Sequence, residues 1–127
     1  MLQILAIGFG GFLGAICRYL LSGWVNTIND ASKLALGTAS VNILGCLVIG
    51  ILGALFEIKG WTNPEIRLFL FVGLLGGFTT FSAFGLETFL LFGKGQVGIA
   101  FINIIGQVTL GLAAVWIGYA ATNGLFK

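Results

Sequence analysis

The 127-residue chain has no histidine, one proline, two cysteines, and only six basic and four acidic side chains. A soluble domain carries charge on about a quarter of its positions, and the 8% found here cannot solvate a water-facing surface. A soluble enzyme is thereby excluded. The lone proline and the lack of any polar run also exclude a disordered or linker-rich chain. Without histidine, Cys17 and Cys46 cannot build a zinc site or a Cys–His nucleophile, and their apolar neighbours make them small packing residues. No basic region precedes the first hydrophobic stretch, and Ile16 is too large for the position before a lipoprotein cleavage site, so that stretch is expected to stay in the mature protein. What the chain does have is apolar: 58% hydrophobic residues and 21 glycines, with a mean hydropathy of +1.10. This describes one integral membrane domain covering 1–127.

The few charges mark the spans. None lies between Met1 and Cys17, Leu34 and Phe56, Leu68 and Leu86, or Gly95 and Phe126. Crossing a hydrocarbon core of about 30 Å takes about 20 helical residues, so four transmembrane helices are expected near 3–22, 34–56, 66–91 and 97–121. Barrel strands would alternate apolar and polar residues, and these runs do not. The connections leave no room for a soluble domain, and no nucleic-acid partner is expected. Four spans put Lys59, Arg67 and Lys127 on one side and Arg18, Lys33 and Lys94 on the other. Because basic residues in short loops set the direction of insertion, this balance predicts a chain able to insert either way round. Two opposed copies would then pair as an antiparallel dimer about an axis in the membrane plane. The competing possibility is one orientation set by one marginal charge.

Gly10 and Gly14 in the first span, and Gly73 and Gly77 in the third, carry the small-xxx-small spacing that lets helices approach closely. With so many glycines the spacing also arises by chance. The glycine-rich run at 8–14 is no dinucleotide loop, since no strand precedes it. Thr38, Asn42 and Gly45 share one face of the second helix; Asn103, Gln107, Gly111, Ala114 and Gly118 share one face of the fourth. Amides at membrane depth must face protein or water. Interhelical hydrogen bonding would account for Asn103 and Gln107, whereas Asn42, flanked by small residues, is expected to be a pore-facing donor of N–H groups.

The third span reads LFLFVGLLGGFTTFSAFGL between Arg67 and Glu87. A glycine pair followed by Thr79, Thr80 and Ser82 makes a poor helix interior, so a break is expected in this segment, at the bilayer midplane. Unpaired backbone groups there are tolerated only where something coordinates them. Carbonyls turned inward at a two-fold axis would form an oxygen cage suited to a cation. Phe78, Phe81 and Phe84 recur every third residue. They read either as lipid-facing or core aromatics, or as rings whose positive edges hold a small anion beside neutral donors and release it rapidly.

The stretch Gly76-Gly77-Phe78-Thr79-Thr80-Phe81-Ser82-Ala83-Phe84, followed by Glu87, resembles the signature of the Fluc (CrcB) family of microbial fluoride channels. The likeness extends along the chain through Gly14-Ala15, Arg18-Tyr19, Gly37-Thr38 and Val41-Asn42. It implies an antiparallel dual-topology homodimer with two pores that exports fluoride passively and so lowers its toxicity, with a structural sodium at its centre; a chain this short without targeting features suits a bacterial inner membrane. Carried over by position, the resemblance gives Gly76 and Thr79 the sodium through their backbone carbonyls. It gives the anion pathway Phe81 and Phe84 as the aromatic box, Asn42 as the pore amide, Ser82 and Glu87 as a polar track with Thr80 and Thr38 beside them, and Arg18 near the vestibule. Ala83 and Gly85 stand where many relatives have hydroxyl residues, so this track has fewer donors. Asn103 stands where some have an aromatic. A proton-coupled multidrug exporter, also a small dual-topology dimer, is the alternative. It requires a carboxylate in the first helix, and that helix has none.

Overall fold

The structure, a computed structural model, describes residues 1–28 and 35–126. Among the described residues, four stretches are long and apolar enough to cross a membrane: Leu2–Ile28, Leu36–Lys59, Pro64–Gly93 and Val97–Phe126. The first, second and last are the uninterrupted helices α1 (Leu2–Ile28), α2 (Leu36–Lys59) and α5 (Val97–Phe126). α1 continues past the expected end at 22, which leaves Arg18 well inside the helix. The expected start of the second helix at Leu34, and the charges of Lys33 and Lys127, lie outside the described residues.

The third span is composite. α3 covers 64–78 in three contiguous pieces: an opening α-turn at Pro64–Arg67, a widened π-helical stretch at Leu68–Leu75, and a closing α-turn at Gly76–Phe78. Asn63 starts it by accepting the Ile66 N–H at 2.9 Å, with proline at the position that needs no donor. Thr79 and Thr80 are extended, and α4 (Phe81–Gly93) completes the crossing. The expected break is present, and within its segment it falls at Thr79–Thr80, directly after the glycine pair. Both glycines remain helical, Gly77 in close contact with α1, while Thr80 is the residue able to start a new helix: its hydroxyl accepts the Ala83 N–H at 3.2 Å. Gly60 (φ 60°) and Gly95 (φ 70°) take the left-handed turns that end α2 and join α4 to α5.

In lipid the hydrophobic effect does not drive helices together, so packing rests on close approach. Many large apolar side chains face outward, Phe12, Trp24, Phe89 and Trp116 among them, and most buried apolar residues are small: Val41, Ala54, Ala100 and Ala114, with Leu75 and Leu91 the larger ones. α1 packs against α3 through the expected glycine pair. A Cβ on Gly10 would lie 2.5 Å from the Phe69 carbonyl oxygen, and one on Gly77 would lie 2.6 Å from that of Gly11. α2 packs against α5 the same way, where a Cβ on Gly50 would lie 2.2 Å from the Val115 oxygen and one on Gly118 would lie 2.4 Å from that of Leu47. The buried face of α5 holds Asn103, Gly111, Ala114 and Gly118, four of the five residues that the spacing aligned. At one end of this helix pair Tyr119 donates its hydroxyl to the Glu57 carboxylate.

Candidate functional site

The break at Thr79–Thr80 lies at the centre of a polar cluster built with α2 and α5. Interrupting a helix at membrane depth strands backbone groups that water cannot satisfy, and α2 supplies the replacement. Gly45, facing the Thr79 side chain, lets α2 come close enough. One turn earlier, Asn42 pairs with both backbone groups of Thr80. Its Oδ1 accepts the Thr80 N–H at 2.8 Å, and its Nδ2 donates to the Thr80 carbonyl at 3.1 Å. The second Nδ2 hydrogen goes to Gln107 Oε1 at 3.0 Å. Asn42 is thus not a donor of free N–H groups. Its amide protons are spent inside the protein, because the backbone of Thr80 would otherwise be orphaned.

The same arrangement takes the helical donors from the carbonyls of Gly76 to Thr79, and for the first and last of these the donor's new partner is a side chain. In an unbroken helix the Thr80 N–H would close on Gly76 and the Ala83 N–H on Thr79. Those two donors instead go to Asn42 Oδ1 and Thr80 Oγ1. Gly76, exposed on the surface of the chain, and Thr79 both line the cavity at the break.

That cavity, of about 360 Å³, is bounded by Asn42, Thr79, Thr80, Phe81, Phe84 and Gln107. The Phe81 and Phe84 rings have centroids 5.5 Å apart and planes tilted by 48°. Phe81 is 83% exposed, so one face of the pair lies open at the cavity. A second recess of about 270 Å³ is lined by Arg18, Tyr19, Ser22, Thr38 and Ala83, and again by Thr80. Thr80 therefore borders both spaces, and its hydroxyl lies 3.3 Å from that of Ser82. Thr38 donates to Glu87 Oε1 at 2.6 Å. Glu87 Oε2 is buried and has no hydrogen-bond partner among the described residues. The residues picked from the sequence thus fall into two groups meeting at Thr80: Asn42, Phe81, Phe84, Gly76 and Thr79 on one side, and Arg18, Thr38 and Glu87 on the other.

Gln107 and Asn103 belong to this site as well. Gln107 Nε2 donates to Asn103 Oδ1 at 2.9 Å, and Asn103 Nδ2 donates to the Thr88 hydroxyl at 2.9 Å. The spacing on α5 put both on its small-residue face, but it could not say that Asn42 and Thr88 would be waiting there.

Thr80 thus joins the broken span and the paired rings to the basic recess. The family model for the CrcB-like protein, Camphor Resistance (CrcB), matches residues 5–119. The chain belongs to the CrcB family. It is 45% identical to the fluoride-specific ion channel FluC of Methylobacillus flagellatus over 119 residues, 94% of this chain and 93% of that one. The FluC channel of Rhizobium johnstonii is 40% identical over 125 residues, 98% of this chain and 99% of its own. The FluC 1 channel of Methanosarcina acetivorans is 42% identical over 118 residues, 93% and 88% of the two chains. CrcB relatives are thus named as ion channels, not enzymes, and this CrcB chain is a multi-pass membrane protein.

Proposed function

We propose that the chain forms a fluoride-selective channel that lets the ion leave the cell passively. The observation that carries this reading is the open face of the Phe81 and Phe84 rings on a cavity at a helix break, beside neutral hydroxyls and amides. Phenyl ring edges carry partial positive charge, and with the Thr80 and Ser82 hydroxyls they offer a desolvated anion weak, short-lived partners. Weak multi-site binding favours conduction over capture. Arg18, one recess away, attracts anions to the entrance without binding them at the narrowest point. α1 carries no carboxylate to couple transport to protons, which argues against an exporter.

The working unit in this proposal is an antiparallel homodimer in the bacterial inner membrane, and near-balanced loop charges permit both orientations. A single chain leaves the Phe81 side of the cavity uncovered, and a second copy would cover it. Structural sodium fits the donors present. Gly76 and Thr79 have lost their helical hydrogen-bond partners, and neutral carbonyl oxygens suit a hard monovalent cation. Those four carbonyls, two from each copy, would hold the ion, and its charge would stabilise the broken segments against each other.

Efflux from liposomes holding the purified protein tests the proposal, with fluoride and chloride measured side by side and no proton gradient. Rapid fluoride loss with negligible chloride loss is expected. Phe81→Ile and Phe84→Ile remove ring edges while keeping bulk, and each is expected to slow fluoride about tenfold or more, the rate counterpart of about 1.4 kcal/mol. Parent-like rates in both variants would sink the aromatic assignment. Sodium is tested separately. The thermal midpoint of the dimer should rise as sodium replaces an organic cation, following ligand linkage, and a flat titration would remove sodium from the proposal.

A further inference from the structure

The ring pair is held by more than its own helix. Phe81 and Phe84 lie in the first turn of α4, directly after two extended residues, and a helix end without outside support frays. Around them a circuit of hydrogen bonds closes. It leaves Thr80 through the paired contact with Asn42, then runs from Asn42 Nδ2 to Gln107 Oε1 at 3.0 Å and from Gln107 Nε2 to Asn103 Oδ1 at 2.9 Å. Asn103 Nδ2 continues to Thr88 Oγ1 at 2.9 Å, and the Thr88 hydroxyl returns to the Phe84 carbonyl at 2.7 Å. The circuit starts and ends on the segment 80–84, which it brackets.

Every donor from Asn42 to Thr88 points the same way along this path, so successive bonds polarise one another. Turning over any one amide would set two N–H groups or two oxygens against each other, so each side chain fixes the orientation of the next. Asn103 and Gln107 stand one turn apart on α5, an unbroken helix packed closely along α2. The broken span is tied to α5 directly at Thr88 and, through Asn42 of α2, at Thr80.

We propose that Asn103 and Gln107 are positioning residues for the phenyl pair and for Thr80, holding the ends of segment 80–84 at a set separation. This rests on the reading of the rings as the anion path. Asn103 separates the proposal from direct ion contact. It is buried, only 4% exposed, it does not line the cavity, and its amide oxygen and nitrogen are both bonded to protein. An effect of Asn103 on conduction has to pass through its neighbours.

The test is fluoride and chloride efflux from liposomes with the full-length parent, Asn103→Leu, Gln107→Met and the double variant. Each single substitution is expected to slow fluoride about tenfold, the rate counterpart of one broken buried hydrogen bond, and to lower the ratio of fluoride to chloride. Because both cut one chain, the double variant should be no slower than the worse single. Thr109→Val, whose hydroxyl bonds only to carbonyls of its own helix on the exposed face, should keep the parent rate and ratio. If Asn103→Leu does not fold, Thr88→Val cuts the next link and must give the same losses. A conducting parent whose Asn103→Leu or Thr88→Val form keeps its rate and selectivity overturns the proposal alone, as does a double variant whose loss is the product of the singles. A parent that passes no fluoride overturns the reading beneath it.

Discussion

Gly14→Ala is expected to cost about 3 kcal/mol of stability or more, the upper part of the range for overpacking a close contact. The added Cβ would sit 2.1 Å from the Leu74 carbonyl oxygen and 2.8 Å from the Phe78 nitrogen. Both are backbone atoms, so no rotamer change relieves the clash. Carbon and oxygen need about 3.5 Å, so α1 would have to retreat from α3 by more than about 1 Å. The atoms displaced belong to the last turn before the break, so the damage reaches the site as well as the fold. Gly11→Ala, one turn away on the same helix, is the matched control. Its Cβ would meet nothing closer than the Gly73 oxygen at 3.9 Å, which is ordinary contact. Thermal unfolding of purified protein compares the two. Equal midpoints would show that the α1–α3 contact is looser than its glycines imply.

Asn42→Leu is expected to lower fluoride efflux about a hundredfold while leaving protein that still inserts and runs as a single species. Leucine keeps the volume and removes three hydrogen bonds at once: two to Thr80 and one to Gln107. Orphaning buried partners costs about 1–3 kcal/mol each, and about 2.7 kcal/mol in a barrier is two decades of rate. The freed Thr80 N–H has a nearby alternative in the Gly76 carbonyl. Taking it would straighten the span, withdraw a carbonyl proposed to hold sodium and carry the rings away from the cavity. Asn42→Leu should therefore lose both fluoride conduction and the rise of thermal midpoint with sodium. Losing conduction while keeping the sodium response would mean that Asn42 acts on the anion alone and that the break holds without it.

Much of this molecule is legible in its sequence, because hydropathy and charge spacing respond to the bilayer and not to particular neighbours. The absence of charge over four stretches fixes four spans. The glycine spacing in the first and third, and the small-residue face of the last, name the surfaces that pack. The signature from Gly76 to Phe84 names the family. The broken segment is legible too, as a glycine pair followed by hydroxyl residues, but local reasoning does not choose the residues that open within it. The approach of α1 uses Gly77 for packing and keeps it helical. Opening falls instead on Thr79–Thr80, where Thr80 can cap the helix that follows and Asn42 can satisfy its backbone.

Asn42 makes the same point from the other side. Spacing put it on the face with Thr38 and Gly45, and all three do turn toward the third span. Only the fold decides that its amide serves Thr80 and Gln107, since hydrogen-bond partners 38 and 65 residues away leave no mark on local sequence. Asn103 and Gln107 declare a face but not a destination, for the same reason. What the sequence alone determined is the set of spans, their packing faces and the family, because the bilayer punishes exposed charge and unpaired backbone at every position alike. Where the third span opens, which carbonyls are freed and how the rings are held were decided by tertiary structure, through amide pairs formed between helices distant along the chain.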